Sequence, residues 1–210
     1  MVPELVRIWV SGWAVSRRRP VPVEKPWGLY VEVGKPDQVG RHVLPDAVES
    51  SVRDAAASVT VPYTWLKVPI EPEEIRAWLP PGWVVDKDEA GHLMAVDLRA
   101  TGPVAPEGYT ASVETRDGVV HVWVHDAAGE FAAKGQMAVL GQATVVDCVK
   151  TEEAHRRRGL GDFVMRTLAD HAVAEGATLG VLGATDAGRA LYETLGWKAH
   201  APLAACVYRP

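Results

Sequence analysis

The sequence predicts an α/β (α+β) fold, a sheet flanked by helices, on three observations. The stretch Val145 to Gly161, VVDCVKTEEAHRRRGLG, reads as an apolar strand, a short charged loop and a glycine-marked helix entry. Tyr109 to Thr115 and Val119 to His125 flank Arg116-Asp117-Gly118, which is a hairpin signal. The element order also repeats. The offset that carries Trp83 onto Trp197 carries Gly82 onto Gly196 and Thr64 onto Thr178. It lays the strand from Gly28 on the strand from Gln142, and the helix from Asp46 on the helix from Leu160.

Taken in order, Leu5 to Ser16 is apolar and aromatic enough for a strand, and the arginine run Arg17-Arg18-Arg19 after it reads as surface. Gly28 to Val33 is strand-like. Asp46 to Val59 suits a helix, because Val48, Val52 and Ala55/Ala56 share one face and Asp46 can cap it. Trp65 to Ile70 is again strand-like. Glu71-Pro72-Glu73-Glu74 opens a short helix, with proline in the first turn and acids at the positive end. Val84 to Asp86 and His92 to Leu98 read as a strand pair around Glu89-Ala90-Gly91. Thr101 to Gly108, rich in proline and glycine, is the linker candidate. It divides an N-terminal half, 1–100, from a second half, 101–210.

Past the hairpin, Phe131 to Leu140 and Ala143 to Val149 are strands broken at Gly141. Leu160, Val164, Leu168 and Ala172 then recur at helical spacing, and Gly176 ends that helix. Leu179 to Leu182 is a strand. Thr185/Asp186 cap a helix with Leu191 and Leu195 one turn apart, Gly196 ends it, and Trp197 to Tyr208 closes the chain as a strand or strand pair.

Composition excludes several classes. An apolar content of 48% with 23% charged residues suits a soluble globular protein. The net charge of −5 argues against nucleic-acid binding, which rests on phosphate neutralisation. No signal-peptide layout and no membrane-length run is present, so no membrane is expected. Cys148 and Cys206 are the only cysteines, so neither a disulfide framework nor a zinc site is implied, and a reducing cytoplasm is expected. A monomer or homodimer fits equally.

The chemistry centres on Arg156-Arg157-Arg158-Gly159-Leu160-Gly161. A helix start leaves backbone N–H groups unpaired, and the aligned peptide dipoles make that end positive. Glycines let a phosphate approach the backbone, and arginines add charge-assisted hydrogen bonds. The stretch is a candidate pyrophosphate cradle. It is not a P-loop, since no Gly-Lys-Ser/Thr follows, and a dinucleotide fingerprint would need a third glycine.

This loop, followed by a helix, a strand and then Arg189-Ala190-Leu191-Tyr192-Glu193-Thr194-Leu195-Gly196-Trp197, resembles the GCN5-related N-acetyltransferase (GNAT) superfamily. The resemblance covers roughly Gly129 to Pro210. The first half is similar only through the repeat, in which His42, Pro45 and Ala47 stand where the second copy has Arg156, Gly159 and Gly161. The resemblance implies a mixed, mostly antiparallel sheet and a tandem arrangement with one degenerate copy. It implies acetyl-CoA as cosubstrate, its pyrophosphate on the backbone of Arg157 to Gly161 with Arg156 alongside, and its pantetheine arm along Val149 and Thr151. It implies direct transfer of the acetyl group to a primary amine, with Tyr192 as the proton donor to the departing thiolate. An asparagine common in the family falls here on Thr185, a hydroxyl that replaces some of its hydrogen bonds. The alternative reading is a non-catalytic acyl-CoA-binding or interaction module of the same fold.

No general base is legible. Asp147, beside the pantetheine strand, is a candidate, with solvent or a neighbouring strand as its more ordinary partner. His121, Trp123 and His125 alternate along one strand and so share a face that could border an acceptor groove. His155 is expected at the surface, and His171 on the long helix has no evident partner.

Overall fold

The N-terminal segment forms a helix, α1 (Val2–Ser16), and not the strand its β-branched and aromatic residues suggest. Its buried apolar side chains are Leu5, Val6, Trp9, Val10, Trp13 and Ala14, a repeat of helical period. Tertiary burial decides the outcome. The helix packs against a sheet closely enough that a Cβ on Gly12 would collide with Val145, and one on Gly183 would lie 3.0 Å from the Trp9 indole.

The computed structural model describes residues 1–210. Twelve strands follow α1, interleaved with four more α-helices. The strands are β1 (Val23–Lys25), β2 (Gly28–Lys35), β3 (Gln38–Val43), β4 (Thr64–Val68), β5 (Trp83–Val85) and β6 (Gly91–Asp97). The second half adds β7 (Tyr109–Arg116), β8 (Val119–Asp126), β9 (Phe131–Leu140), β10 (Ala143–Thr151), β11 (Leu179–Ala184) and β12 (Lys198–Tyr208). The helices are α2 (Glu49–Ser58), α3 (Pro72–Ile75), α4 (Leu160–Ala174) and α5 (Asp186–Thr194). Short 3-10 turns follow α3 (Arg76–Trp78) and β10 (Glu153–His155).

The strands join one sheet in the order β1-β2-β3-β4-β12-β6-β11-β10-β9-β8-β7, with β5 also on β12. Only β3–β4 and β10–β11 are parallel, so the sheet is mixed and mostly antiparallel, as expected. Each parallel pair is bridged by a helix, α2 or α4. That makes β3, and not the β2 strand chosen by the residue offset, the counterpart of β10.

The last strands of the two halves are exchanged. β6 lies against β11 of the second half, while β12 runs from β6 onto β4 of the first. The expected pairing of residues 84–86 with 92–98 is therefore absent: β5 pairs with the end of β12, and residues 86–90 form a loop. α2 starts later than expected, with Val48 at its N-cap and no side-chain cap, so Asp46 does not cap it.

Apolar side chains cover both faces of the sheet. α4 and α5 bury Leu160, Val164, Leu168 and Tyr192 with Val146, Met137 and Leu182. On the opposite face α1 packs on Val145, Val181, Leu93 and Leu203, and also on Leu29, Val31 and Val43 of the first half. α2 and α3 seal the other side of β4 and β12 through Val52, Ile75, Leu66 and Ala204. Helix α1 is apolar on most of its circumference because both halves cover it.

Candidate active site

The site begins where two parallel strands part. β10 pairs with β11 only from Ala143 to Val145. Beyond that point β11 continues along β6 to Ala184, and β10 continues along β9 to Thr151. The β11-side edge of β10 is open from Val146 onward. A bulge between Asp147 and Lys150 sharpens the divergence, with Cys148 in the left-handed region at φ 55°. Val149 and Thr151, expected to meet an extended arm, lie on this open stretch.

The arginine loop follows. Arg157 (φ 59°) and Gly159 (φ 77°) are both left-handed, and Gly159 is the N-cap of α4. Glycine tolerates that conformation without steric cost. The first backbone bond into the helix is Phe163 N–H to the Gly159 carbonyl, at 3.0 Å. The N–H groups of Arg157 through Asp162 have no acceptor within the chain. Open N–H groups at a helix start, reached over an exposed glycine, are chemically suited to anionic oxygens.

The three arginines are exposed and differ in their ties. Arg158 Nη1 donates to the Tyr109 hydroxyl at 3.1 Å, and that hydroxyl lies 3.0 Å from His155 Nδ1. Arg156 Nε reaches the Thr151 carbonyl at 3.5 Å. Arg157 forms no side-chain hydrogen bond or ion pair. His155 is largely buried against Tyr109, contrary to the surface position expected of it. Sequence reading missed Tyr109, because nothing local ties a hairpin residue to a loop some fifty positions on.

Gly161 connects the two motifs. A Cβ there would sit 2.8 Å from Leu191 Cδ2, so its absence lets the start of α4 lie against α5. Next to Leu191, Tyr192 is 9% exposed and tilted against Trp197, with ring centroids 6.2 Å apart. Gly188 gives it room, since a Cβ would lie 3.1 Å from the ring. Burial, aided by the Asp147 charge, pushes the Tyr192 hydroxyl up to about 12, so it is held protonated. That hydroxyl makes no hydrogen bond in the chain and is free to donate. Thr185 caps α5, its hydroxyl accepting from Gly188 N–H at 3.2 Å.

Asp147 points to the other face. Arg17 grips both its oxygens, Nη2 to Oδ1 at 2.9 Å and Nε to Oδ2, and Ser16 adds a contact at 3.4 Å. Its partner is thus an arginine from the run that reads as surface. The hydrogen bond to Asp147 also raises the Arg17 pKa. Arg18 pairs with Asp117 at 3.0 Å, and Arg19 donates to the Val33 carbonyl.

Two features lie away from this centre. His121, Trp123 and His125 do share a face, with Val120, Val122 and Val124 buried on the other. They line a groove of about 330 Å³ with Arg18 and Arg116, two strands from the parting of β10 and β11. A larger cavity of about 1060 Å³ lies at the opposite end of the sheet, between Leu5, Leu98, Leu179 and Trp197. No cradle residue lines it.

Residues 128–205 match the family model described as FR47-like protein. No curated protein matches the sequence. Among solved structures, a GCN5-related N-acetyltransferase from Kribbella flavida aligns with a TM-score of 0.66 at 18% identity, over 99% of this chain and 95% of that one. A GCN5-related N-acetyltransferase from Sphaerobacter thermophilus aligns with 0.55 at 13% identity, over 70% and 61%. A tandem GNAT protein from the clavulanic acid biosynthesis pathway aligns with 0.54 at 13% identity, over 77% and 69%. With its parted parallel strands and its glycine-capped α4, the chain has the fold of the GNAT proteins it aligns with, and residues 128–205 carry the match to the FR47-like family.

Proposed function

We propose that this protein is an N-acetyltransferase that passes the acetyl group of acetyl-CoA to a primary amine by direct attack in a ternary complex. One observation carries the reading: the free N–H groups of Arg157 to Asp162, the open edge of β10 and the unbonded Tyr192 hydroxyl converge on one end of the sheet. Acetyl-CoA supplies an activated thioester. The residues present fit it. The α4 start and the unpaired Arg157 suit a pyrophosphate, with Arg156 and Arg158 beside it, and Leu160 buries the floor. The open edge at Val149 and Thr151 suits amides that pair as a strand does. Holding thioester and amine together removes much of the entropic barrier. Tyr192, held protonated and without a partner, would give its proton to the leaving sulfur.

The N-terminal half, 1–100, is on this reading a degenerate copy. Its crossover β3–α2–β4 keeps the topology, but α2 begins without a capping glycine. The second half, 101–210, holds the cosubstrate. Calorimetry of acetyl-CoA on the wild type, Gly159→Asp and Arg157→Ala tests this. Binding in the micromolar range that Gly159→Asp abolishes and Arg157→Ala weakens supports the reading. Absence of binding to the wild type overturns it.

A second reading is a non-catalytic acyl-CoA-binding module, and one observation favours it. The Thr185 hydroxyl is already engaged in capping α5, so it offers the arm less than a free amide would. Binding without thiol release across a broad panel of amines would select this reading.

A further inference from the structure

The face of the sheet under α1 carries buried cations that nothing in the preceding reading uses. Arg41 on β3 and Lys67 on β4 are each 6% exposed. Register places them on one face: Val43 pairs with Lys67, and Arg41 sits two residues before Val43. Their hydrogen bonds go to neutral acceptors. Lys67 Nζ donates to the Glu89 carbonyl. Arg41 is met by the Gln38 amide, turned so that its oxygen accepts from Nη2 at 2.7 Å. Neither cation forms a salt bridge.

The pair lies next to the reacting end of β10. Arg41 and Arg17 both lie over the Trp13 indole, 4.4 Å and 5.9 Å from its centroid. Arg17 in turn holds Asp147 in the bulge of the open strand. The charged groups that bear on Arg41 and Lys67 are the cation Arg17 and the acids Asp147, Asp86 and the exposed Glu89. Asp147 is taken up by Arg17 and Asp86 by Arg209, and none of the three acids forms an ion pair with Arg41 or Lys67. Unpaired buried charge is costly, and an anion bound beside it would offset that cost.

We infer that Arg41 and Lys67 form a receptor for an anionic group on the acceptor, so that the substrate is a primary amine bearing a carboxylate or phosphate a few bonds from its nitrogen. This deepens the acetyltransferase reading and rests on it for the role of the amine; the anion receptor itself stands on the geometry. The amine lies at the parted strands, and the acid reaches past Trp13. Burial, reinforced by the Arg41 charge, pushes Lys67 down to about 7, and a bound anion would counter both by favouring the charged ammonium. Arg41 presents a planar fork suited to either oxyanion. An all-cationic acceptor would be repelled by both Arg41 and Lys67.

The test compares primary amines that differ in the remote group: β-alanine, phosphoethanolamine, ethanolamine and ethylenediamine. Thiol release from acetyl-CoA is measured for each. The expected result is a kcat/KM for β-alanine or phosphoethanolamine at least about tenfold above those for ethanolamine and ethylenediamine, the scale of one charged hydrogen bond. The better of the two acids identifies the oxyanion. Lys67→Met and Arg41→Met should shrink the ratio of acid to neutral amine toward one, chiefly through KM.

A binding arm separates this inference from the acetyltransferase reading. The same amines are titrated onto the protein alone and followed by thermal midpoint at matched ionic strength. Stabilisation by the acids and not by ethylenediamine supports the receptor even if no acetyl transfer occurs. Equal effects of all four amines, or a preference for ethylenediamine, overturn it, and the wild-type arms decide this even if the variants fail to fold.

Discussion

Arg17, the first residue past α1, grips both carboxylate oxygens of Asp147 in the bulge of β10. The pair ties the helix that lies between the two halves to the strand whose edge is open beyond Val145. Gln136 strengthens the joint, its Nε2 donating to the Ser16 carbonyl and hydroxyl at 2.8 Å. The carboxylate is the more buried partner, 15% exposed against 37%. Removing Arg17 is therefore the more disruptive change, because it strands a largely buried charge.

Arg17→Met should destabilise the fold by about 1–2 kcal/mol, the range of a charged hydrogen-bonded pair reduced for its partial exposure. Asp147→Asn should cost less, since the amide keeps one acceptor for the guanidinium. Urea melts of both variants and of the double variant measure the coupling. A fully additive double variant would show that the pair contributes nothing as a pair.

Gly12→Ala sets two effects against each other. Alanine favours the middle of a helix over glycine by about 1 kcal/mol. The new methyl, however, would occupy the space of the Val145 side chain, a stiff residue in a central strand. Overpacking of this kind costs about 1–3 kcal/mol, so the variant should be less stable. Adding Val145→Ala should recover part of the loss. A more stable Gly12→Ala single variant would mean that α1 sits farther from β10.

Tyr192→Phe separates catalysis from binding. The hydroxyl has no partner in the chain, so the thermal midpoint and the affinity for acetyl-CoA should hold. The turnover number should fall about 10²-fold if the phenol protonates the thiolate. Unchanged turnover would remove Tyr192 from the chemistry and leave it a packing residue beside Trp197.

His42 makes acid stability a measurable property of the N-terminal half. Trp27 Nε1 donates to its Nδ1 at 3.1 Å, so the ring is a neutral acceptor there. Burial, with the Lys25 charge, pushes it down to about 4. The unfolded chain takes up a proton near pH 6.5 and the folded chain only near 4. The stabilisation is thus present above about pH 6.5 and is lost as pH falls toward 4, by about 2–3 kcal/mol. His42→Gln should flatten the stability profile across that window. An equal slope in wild type and variant would assign it to carboxylates instead.

The parts of the site that were legible in advance are those whose physics is local. Gly159 with its left-handed φ, the stripe from Leu160 to Ala172, and the Thr185 cap each depend on residues within a turn of one another. So do the hairpin at Asp117-Gly118 and the helix ends at Gly176 and Gly196, all glycine-dependent turns. The same local logic misread Leu5 to Ser16, because β-branched and aromatic residues favour a strand until two surfaces close around them. It also paired residues 84–86 with 92–98 as neighbours in the chain, whereas both strands found partners more than a hundred residues away in β12.

By itself, then, the sequence determined the strand–glycine–helix unit, the order of elements in the second half and the family likeness they carry. Each is encoded in short-range backbone preference and periodicity. Tertiary structure alone decided the exchange of β6 and β12, the placement of α1 between the halves, the Arg17–Asp147 pair and the burial of Arg41 and Lys67. These depend on pairings between distant strands, where many registers satisfy the same alternation and only the packed whole selects one.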